Sequence, residues 1–248
     1  MSNINDIRII NRFFNNGLNK RSLKSYFEDK RNNDFRILEF ICLHHPNKKL
    51  ILYLFHKIDI NIKNDCGRTI LHVLCKMTSN KKIIKLLLEN GADVNSKDIN
   101  DMTPFHYLCQ YNPDKKIMEL LLDFGADINA TDINNWTALF YACYNHKRKD
   151  LILFLLDHDA DILKKDNFNW SVIQYACKFF YYKEELVITL LENGASITEN
   201  EIDRLIKNNK RKKILKTYLN KNKDKIFTIV KKCNVLIDDI CFLLVSYV

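Results

Sequence analysis

The sequence predicts an all-α fold of stacked helix pairs, and three repeated features carry that prediction. A hydroxyl residue recurs every 34 residues, at Thr69, Thr103, Thr137 and Ser171. A cysteine follows each of them at a constant distance: Cys75, Cys109, Cys143 and Cys177. A glycine ends an apolar helical segment in three copies, at Gly91, Gly125 and Gly194. Since a single helix pair cannot bury its apolar face alone, such copies stack into a solenoid.

Each copy begins with a polar tip. Matching positions in the tips carry a short polar side chain: Asn64, Asp98, Asp132 and Asp166. Three residues later stand residue types that tolerate left-handed backbone: Gly67, Asp101, Asn135 and Asn169. The hydroxyl residue that follows is suited to capping a first helix. A polar turn such as "NPDKK" then leads to a second, amphipathic helix that ends at the glycine.

These motifs resemble the ankyrin repeat, in which Thr-Pro-Leu-His opens the first helix and Gly-Ala-Asp closes the second. The chain has "TILH", "TPFH", "TALF" and "SVIQ", followed by "NGADVN", "FGADIN", "HDADIL" and "NGASIT", with Asp159 in place of one glycine. The resemblance implies about five helix-pair repeats over residues 35–199. Residues 1–34, where "IINRFFNNGLN" aligns with "IIKLLLENGAD", are interpreted as a partial, degenerate capping repeat, and residues 200–248 as a small C-terminal helical segment.

Composition and terminal pattern argue for an intracellular, membrane-free protein. No window holds the roughly 18 consecutive apolar residues that a membrane span needs, and the N-terminus lacks the pattern of a signal peptide. The cysteines share the repeat period and include no Cys-x2-Cys pair, which favours packing between helices over a disulfide or a metal site.

Catalysis finds little support in the sequence. There is no glycine-rich phosphate loop, no His-Glu-x-x-His motif and no nucleophile elbow. We interpret His72 and His106 as structural, since ankyrin histidines at this position bond neighbouring backbone. We therefore expect no catalytic residue, no cofactor, no metal and no small-molecule substrate.

The tips are the predicted binding surface, because apolar side chains there have no role in folding. The partner-binding candidates are Arg68, Ile99, Asn100, Met102, Ile133, Asn134, Trp136, Phe168 and Trp170. Trp136 and Trp170 are one repeat apart and are expected to lie side by side, where they either contact a ligand or pack on the neighbouring hairpin. Residues just after each cysteine are further candidates: Lys76, Met77, Gln110, Tyr111, Tyr144, Asn145, Lys178 and Phe179.

The net charge of +9 arises in the C-terminal segment, where Lys207–Lys232 hold eleven Lys or Arg and one acid, Asp224. Apolar residues at helical spacing run between these lysines, which favours amphipathic helices with a solvated basic face. The run "KNNKRKK" is a candidate nuclear import signal. Nucleic-acid binding is less favoured, because no exposed aromatic residues are interleaved with the basic ones.

The last thirteen residues, "LIDDICFLLVSYV", resemble the opening helix of an F-box. The matching positions are Leu236, Asp239, Ile240, Leu244, Val245 and Val248, and Ile237 stands where the F-box has proline. Together with the ankyrin motifs, this end is similar to the poxvirus ankyrin family, whose members finish in a truncated F-box-like (PRANC) segment.

That resemblance implies a viral substrate receptor for host range or immune evasion. The ankyrin face would hold a host protein, and the terminal helix would bind the adaptor of a cullin-RING (SCF-type) ubiquitin ligase in the host cytoplasm, with the nucleus as the alternative. The alternative function is a stand-alone ankyrin protein that sequesters a host signalling factor without a ligase.

Overall fold

The computed structural model describes residues 33–44, 48–78, 80–146, 149–179, 184–206 and 209–222. Within these residues the chain forms α1 (Asn33–His44), α2 (Lys48–Phe55), α3 (Ile70–Met77), α4 (Lys81–Glu89), α5 (Pro104–Tyr111), α6 (Lys115–Asp123), α7 (Ala138–Tyr141), α8 (Lys149–Asp157), α9 (Val172–Phe179), α10 (Glu184–Glu192), α11 (Glu199–Leu205) and α12 (Asn209–Lys221). Extended pairing in this part of the chain is confined to one antiparallel bridge, Lys165 with Ser171. The predicted all-α repeat fold is confirmed.

The chain divides into two compact units, Met1–Asp127 and Ile128–Val248. In the first unit the pairs α1/α2, α3/α4 and α5/α6 each pack together. The first helices α1, α3 and α5 then pack side by side in chain order, and α6 packs on α4. This is the stacking that a repeat array requires, because each helix pair buries its apolar face against the next pair.

The second unit continues the same pattern with one departure. Helix α7 is a single turn that runs on as a π-helical turn, Ala142–His146, and both contact α8. Helix α9 packs on α10 and α11, and α12 packs on α10 and α11. The 34-residue period of the sequence ends before α11. Helices α11 and α12 nevertheless pack on α9 and α10 as the two helices of a further repeat would.

A ladder of asparagine side chains joins successive repeats within each unit. Asn61 Nδ2 donates to the Gly91 carbonyl at 3.0 Å, and its Oδ1 accepts from Asp93 N at 2.8 Å. Asn95 makes the same pair of bonds to Gly125 and Asp127, and Asn129 makes them to Asp159 and Asp161. The carbonyl acceptor sits at a left-handed residue in each case, and Asp159 adopts a φ of +63° where the other repeats have glycine.

Buried histidines make the second connection between repeats, as the sequence predicts. Nδ1 of His72 accepts from the Thr69 backbone N–H at 3.1 Å, and Nε2 lies 2.9 Å from the Met102 carbonyl of the next repeat. His106 repeats the local half of this arrangement with Thr103. These contacts fix the neutral tautomer with the proton on Nε2, because Nδ1 faces two donors.

Gln174 replaces the histidine in a later repeat and performs both of its tasks. Its Oε1 accepts from Ser171 N at 2.8 Å, and its Nε2 donates to the carboxylate of Glu201. Glu201 in turn accepts from Thr198 N at 2.8 Å in the capping box of α11. The glutamine therefore connects the last full repeat to the C-terminal helix pair.

Acidification should destabilise the protein through His72. Burial lowers the pKa of His72 to about 4, whereas an unfolded histidine titrates near 6.5. The stability from the neutral imidazole is therefore complete above about pH 6.5 and is lost as the pH falls toward 4. We expect protonation of His72 to lower the free energy of unfolding by on the order of 2 kcal/mol between pH 7 and pH 5, measured by urea unfolding. A His72→Gln variant, which cannot titrate, should lose less over the same interval; an equal loss would contradict this assignment.

The cysteines of the ladder lie in the apolar core. Cys75, Cys109 and Cys143 are at most 1% exposed, and burial raises the pKa of each thiol. All six cysteines in the described residues are free thiols. A thiol held protonated in an apolar setting is a weak nucleophile, so these positions serve packing.

Candidate protein-binding surface

Each tip is held by one short polar side chain, as the matching positions in the sequence suggest. Oδ1 of Asp98 accepts from the backbone N–H of Asn100 at 2.8 Å and of Met102 at 3.0 Å. Asp132, Asp166 and Asn64 do the same in their tips. These bonds satisfy the inward-pointing backbone N–H groups of the tip. The conformation of the tip therefore does not depend on the side chains of the residues at its end.

The left-handed residues close the tips. Asp101, Asn135 and Asn169 have φ of 58°, 65° and 62°, and Gly67 has 71°. At Gly67 the next tip is also close, since a Cβ there would lie 2.9 Å from Ile99 N. The four positions predicted to tolerate left-handed backbone are confirmed, and Gly67 is required for a second reason, the close approach of the neighbouring tip.

A tyrosine below three of the four tips completes their support, and the sequence interpretation missed it. Tyr107 donates to Asp98 Oδ2 at 2.8 Å, and the pairs Tyr141–Asp132 and Tyr175–Asp166 repeat this bond at 2.8 and 2.5 Å. Burial and the carboxylate partner raise the pKa of Tyr175 to about 12. The signal was present, because the three tyrosines follow one another at the repeat period.

In the first unit the exposed surface combines apolar and basic side chains. Arg68 Cζ lies 5.3 Å from the Tyr107 ring centroid, and its Nε lies 3.8 Å from Asp98 Oδ2. Tyr107 contacts Tyr111, whose ring lies 4.7 Å from Lys76 Nζ. The exposed and half-buried residues of this surface are called the unit 1 face: Arg68, Lys76, Met77, Ile99 and Tyr111.

In the second unit the surface is aromatic. Trp136 contacts Tyr144 at 5.4 Å and Tyr175 at 5.3 Å between ring centroids, and Trp170 contacts the same Tyr175 at 5.3 Å. The two tryptophans therefore flank one tyrosine, in agreement with the expected side-by-side arrangement. The unit 2 face is this row with the exposed tip residues: Ile133, Trp136, Tyr144, Phe168 and Trp170.

The predicted tip residues differ in exposure. Ile99, Asn100, Ile133, Asn134 and Phe168 are exposed, whereas Arg68, Trp136 and Trp170 are half-buried. Trp136 packs on the next hairpin, with Nε1 at 3.4 Å from Asp166 Oδ2, and still keeps an exposed portion. The packing role therefore applies to Trp136, and contact with a ligand stays a prediction.

Met102 is the exception among the tip candidates. Its side chain is only 8% exposed, and its carbonyl accepts the His72 bond. The expectation that Met102 presents an exposed side chain is wrong, because this apolar side chain is buried in the repeat stack, whereas the larger Arg68, Trp136 and Trp170 at the same position keep an exposed portion.

The described part of the basic segment is folded against acidic residues. Lys216 Nζ lies 2.6 Å from Asp203 Oδ2 and 3.8 Å from Glu199 Oε2, and Lys212 lies 3.7 Å from Asp203. The hydrogen bond from Lys216 lowers the pKa of Asp203. Leu215 and Leu219 of α12 are buried, which confirms an amphipathic helix there. Residues 1–32 and 223–248, which include the degenerate repeat and the F-box-like positions Leu236 to Val248, lie outside the described residues.

No helix in the described residues is long and apolar enough to span a membrane. No group of three or more His, Cys, Asp or Glu side chains in the same residues could hold a metal ion.

Stacked helix pairs with supported, protruding tips define a repeat protein that binds other proteins. The family model described as ankyrin repeats in three copies matches residues 38–132 and again residues 112–201, and the chain belongs to this family. No curated protein matches the sequence. The chain is thus an ankyrin-repeat protein and a protein–protein interaction module.

Proposed function

We propose that the chain is a viral substrate receptor that joins a host protein to an SCF-type ubiquitin ligase. The unit 1 and unit 2 faces would hold the host protein, and the helix Leu236–Val248 would bind the ligase adaptor. The site of action would be the host cytoplasm or nucleus, and the biological role host range or immune evasion.

The observation that carries the binding half of this proposal is the exposure of large apolar side chains at the tips. Phe168 is 78% exposed and Ile99 is 66% exposed, although the backbone of both tips is fixed from below. Burying such a side chain in a partner removes apolar area from water at no cost in tip ordering. Aromatic residues in pre-formed positions are the usual centres of binding energy.

The ligase half is supported by the F-box-like pattern of the last thirteen residues. In a helix, Leu236, Ile240 and Leu244 recur every four residues and share one stripe, which suits a groove on a partner. The viral role is supported by the combination of ankyrin repeats with this ending.

Sequestration of a host factor without a ligase is the second candidate. It is favoured by the fact that both binding faces are complete within the repeats and take no residue from 223–248. Nucleic-acid binding through α12 is less favoured, because Asp203 and Glu199 lie beside two of its lysines.

Deletion of residues 236–248 separates the two candidates. We expect the full chain to retain both a host protein and the ligase adaptor in a pull-down from a lysate of host cells, identified by mass spectrometry. The shortened chain should retain the host protein and lose the adaptor. If the full chain fails to retain the adaptor, the ligase half falls and sequestration stands.

The binding half has its own control. A variant with Tyr111→Ser and Tyr144→Ser changes one exposed residue on each face and should lower host-protein recovery about ten-fold or more. A matched variant, Phe124→Ser and Leu163→Ser, changes exposed apolar residues outside the two defined faces and should recover the protein normally. Equal recovery with both variants would show that the faces do not bind.

A further inference from the structure

The tips within each unit are joined by backbone hydrogen bonds in a constant direction. Ile99 N donates to the Cys66 carbonyl at 3.1 Å, and Asn167 N donates to the Asn134 carbonyl at 3.1 Å. Asn167 Nδ2 also donates to the Ile133 carbonyl at 2.8 Å. A tip therefore offers carbonyl oxygens on one edge, and the next tip in the chain covers them with N–H donors.

In the described part of the chain, no further tip follows the tip Asp166–Trp170. The stretches from Gly91 to Thr103 and from Gly125 to Thr137 are equally long and each contains a tip, whereas only "ASI" separates Gly194 from Thr198. Helix α11 therefore begins where a hairpin would otherwise be formed. The repeat built by α11 and α12 keeps its helices and omits its tip.

This omission leaves a defined edge, which we call the open tip edge: Asn167, Phe168 and Trp170, with Lys178. The N–H groups of Phe168 and Trp170 are used by Asp166 Oδ1 at 2.9 and 2.8 Å. By the register of the earlier tips, the next acceptors are the carbonyls of Asn167 and Phe168. Within the described residues neither carbonyl accepts a hydrogen bond.

Side chains beside this edge specify what would bind it. Phe168 is the most exposed large apolar residue in the described part of the chain. Trp170 follows two residues later in the chain and is half-buried against Tyr175, and Lys178 Nζ lies 4.5 Å from the centroid of the Trp170 ring. The edge thus combines backbone acceptors, an apolar surface and one positive charge.

We propose that the open tip edge binds an extended peptide segment of the protein partner, laid along the tip as the missing hairpin would be. The segment donates a backbone N–H group to the Phe168 carbonyl and a side-chain amide N–H to the Asn167 carbonyl, places a large apolar side chain on Phe168 and Trp170, and presents a carboxylate to Lys178. This proposal rests on the proposed binding function and names one element of the partner. Proline is excluded at the position that donates its backbone N–H, because it has none.

The test uses a displayed library of linear twelve-residue peptides panned against the full chain. We expect enriched peptides that pair a large apolar residue with an acidic one and bind the Phe168→Ser variant at least ten-fold more weakly. Lys178→Glu should also weaken them. The matched control is Leu163→Ser, an exposed apolar residue of the same unit that lies outside both defined faces, and it should bind the peptides as the unaltered chain does.

Two further measurements address the backbone bonds. Methylating the donating amide nitrogen of an enriched peptide should reduce its binding at least ten-fold, whereas methylating an adjacent outward amide should not. Replacing residues 195–197 by a copy of residues 126–136 restores the longer spacing and supplies a tip, so it should abolish binding. Peptides that bind this variant undiminished, or that are lost equally on Leu163→Ser, would overturn the proposal.

Other occupants of the edge would give different results. A dimer in sedimentation that Phe168→Ser dissociates would assign the edge to a second copy and overturn the proposal. Peptide binding that appears only after residues 223–248 are removed would assign it to the chain's own terminus, with the same consequence. Host-protein capture without peptide enrichment would leave the proposed function standing and remove this inference alone.

Discussion

Replacing His72 by alanine should lower the free energy of unfolding by about 3–4 kcal/mol at pH 7. The imidazole is fully buried and joins the Thr69 backbone to the Met102 carbonyl of the next repeat. Its removal leaves a buried donor and a buried acceptor without partners and opens a cavity in the core. Equilibrium unfolding in urea, monitored by circular dichroism, measures the loss.

The chain itself supplies the control for this prediction. Gln174 shows that a glutamine at the equivalent position accepts from the capping residue and donates across to the next repeat. His72→Gln should therefore cost only about 1 kcal/mol. If alanine and glutamine destabilise equally, the two hydrogen bonds do not carry the stability that we assign to them.

Replacing both Ile240 and Leu244 by aspartate should abolish binding of the ligase adaptor. The residues are four apart, so a helix places them on one face. Full burial of each would contribute about 1.5–3 kcal/mol, and each truncation would weaken binding about ten-fold or more. Together they should reduce affinity at least about a hundred-fold, measured by calorimetry with purified adaptor.

Two controls accompany this double variant. Ser246→Asp introduces a charge in the same thirteen residues but at none of the six F-box-like positions, and it should bind the adaptor normally. The double variant should also keep its melting temperature and its host partner. Unfolding, or loss of the host partner as well, would assign Ile240 and Leu244 to the core, and the F-box interpretation would give way to a capping helix.

Much of the fold could be predicted because the same local residue pattern occurs in several repeats. Asn135 in one copy stands where Gly67 stands in another, and the shared tolerance for left-handed backbone identifies the turn. The histidine at the third helical position, the closing glycine and the buried cysteine are similarly positioned by the period. Where every copy agrees, local preference and tertiary packing point to one structure.

The site was harder to predict because exposure depends on neighbours. Met102 and Met77 are chemically identical, yet one is buried under a hydrogen bond between repeats and the other is 62% exposed. The pairing of Tyr107 with Asp98 spans nine residues and crosses from helix to tip, which no helical or strand periodicity describes. Gln174 stands where two other repeats have histidine, and it keeps the function of that histidine through Glu201, which no similarity of residue type indicates.

The asparagine ladder also determines how such a chain can change over evolutionary time. Each of these asparagine side chains reaches only two backbone groups of the adjacent repeat. They are the carbonyl of the left-handed residue and the amide N–H two residues later, as Asn95 shows with Gly125 and Asp127. Duplicating or deleting one whole period therefore brings another asparagine to an identical carbonyl, and every junction can be re-formed. An insertion that is not a full period breaks the junction at that point. One full period is thus the unit in which this protein can lengthen or shorten its binding surface without redesigning it.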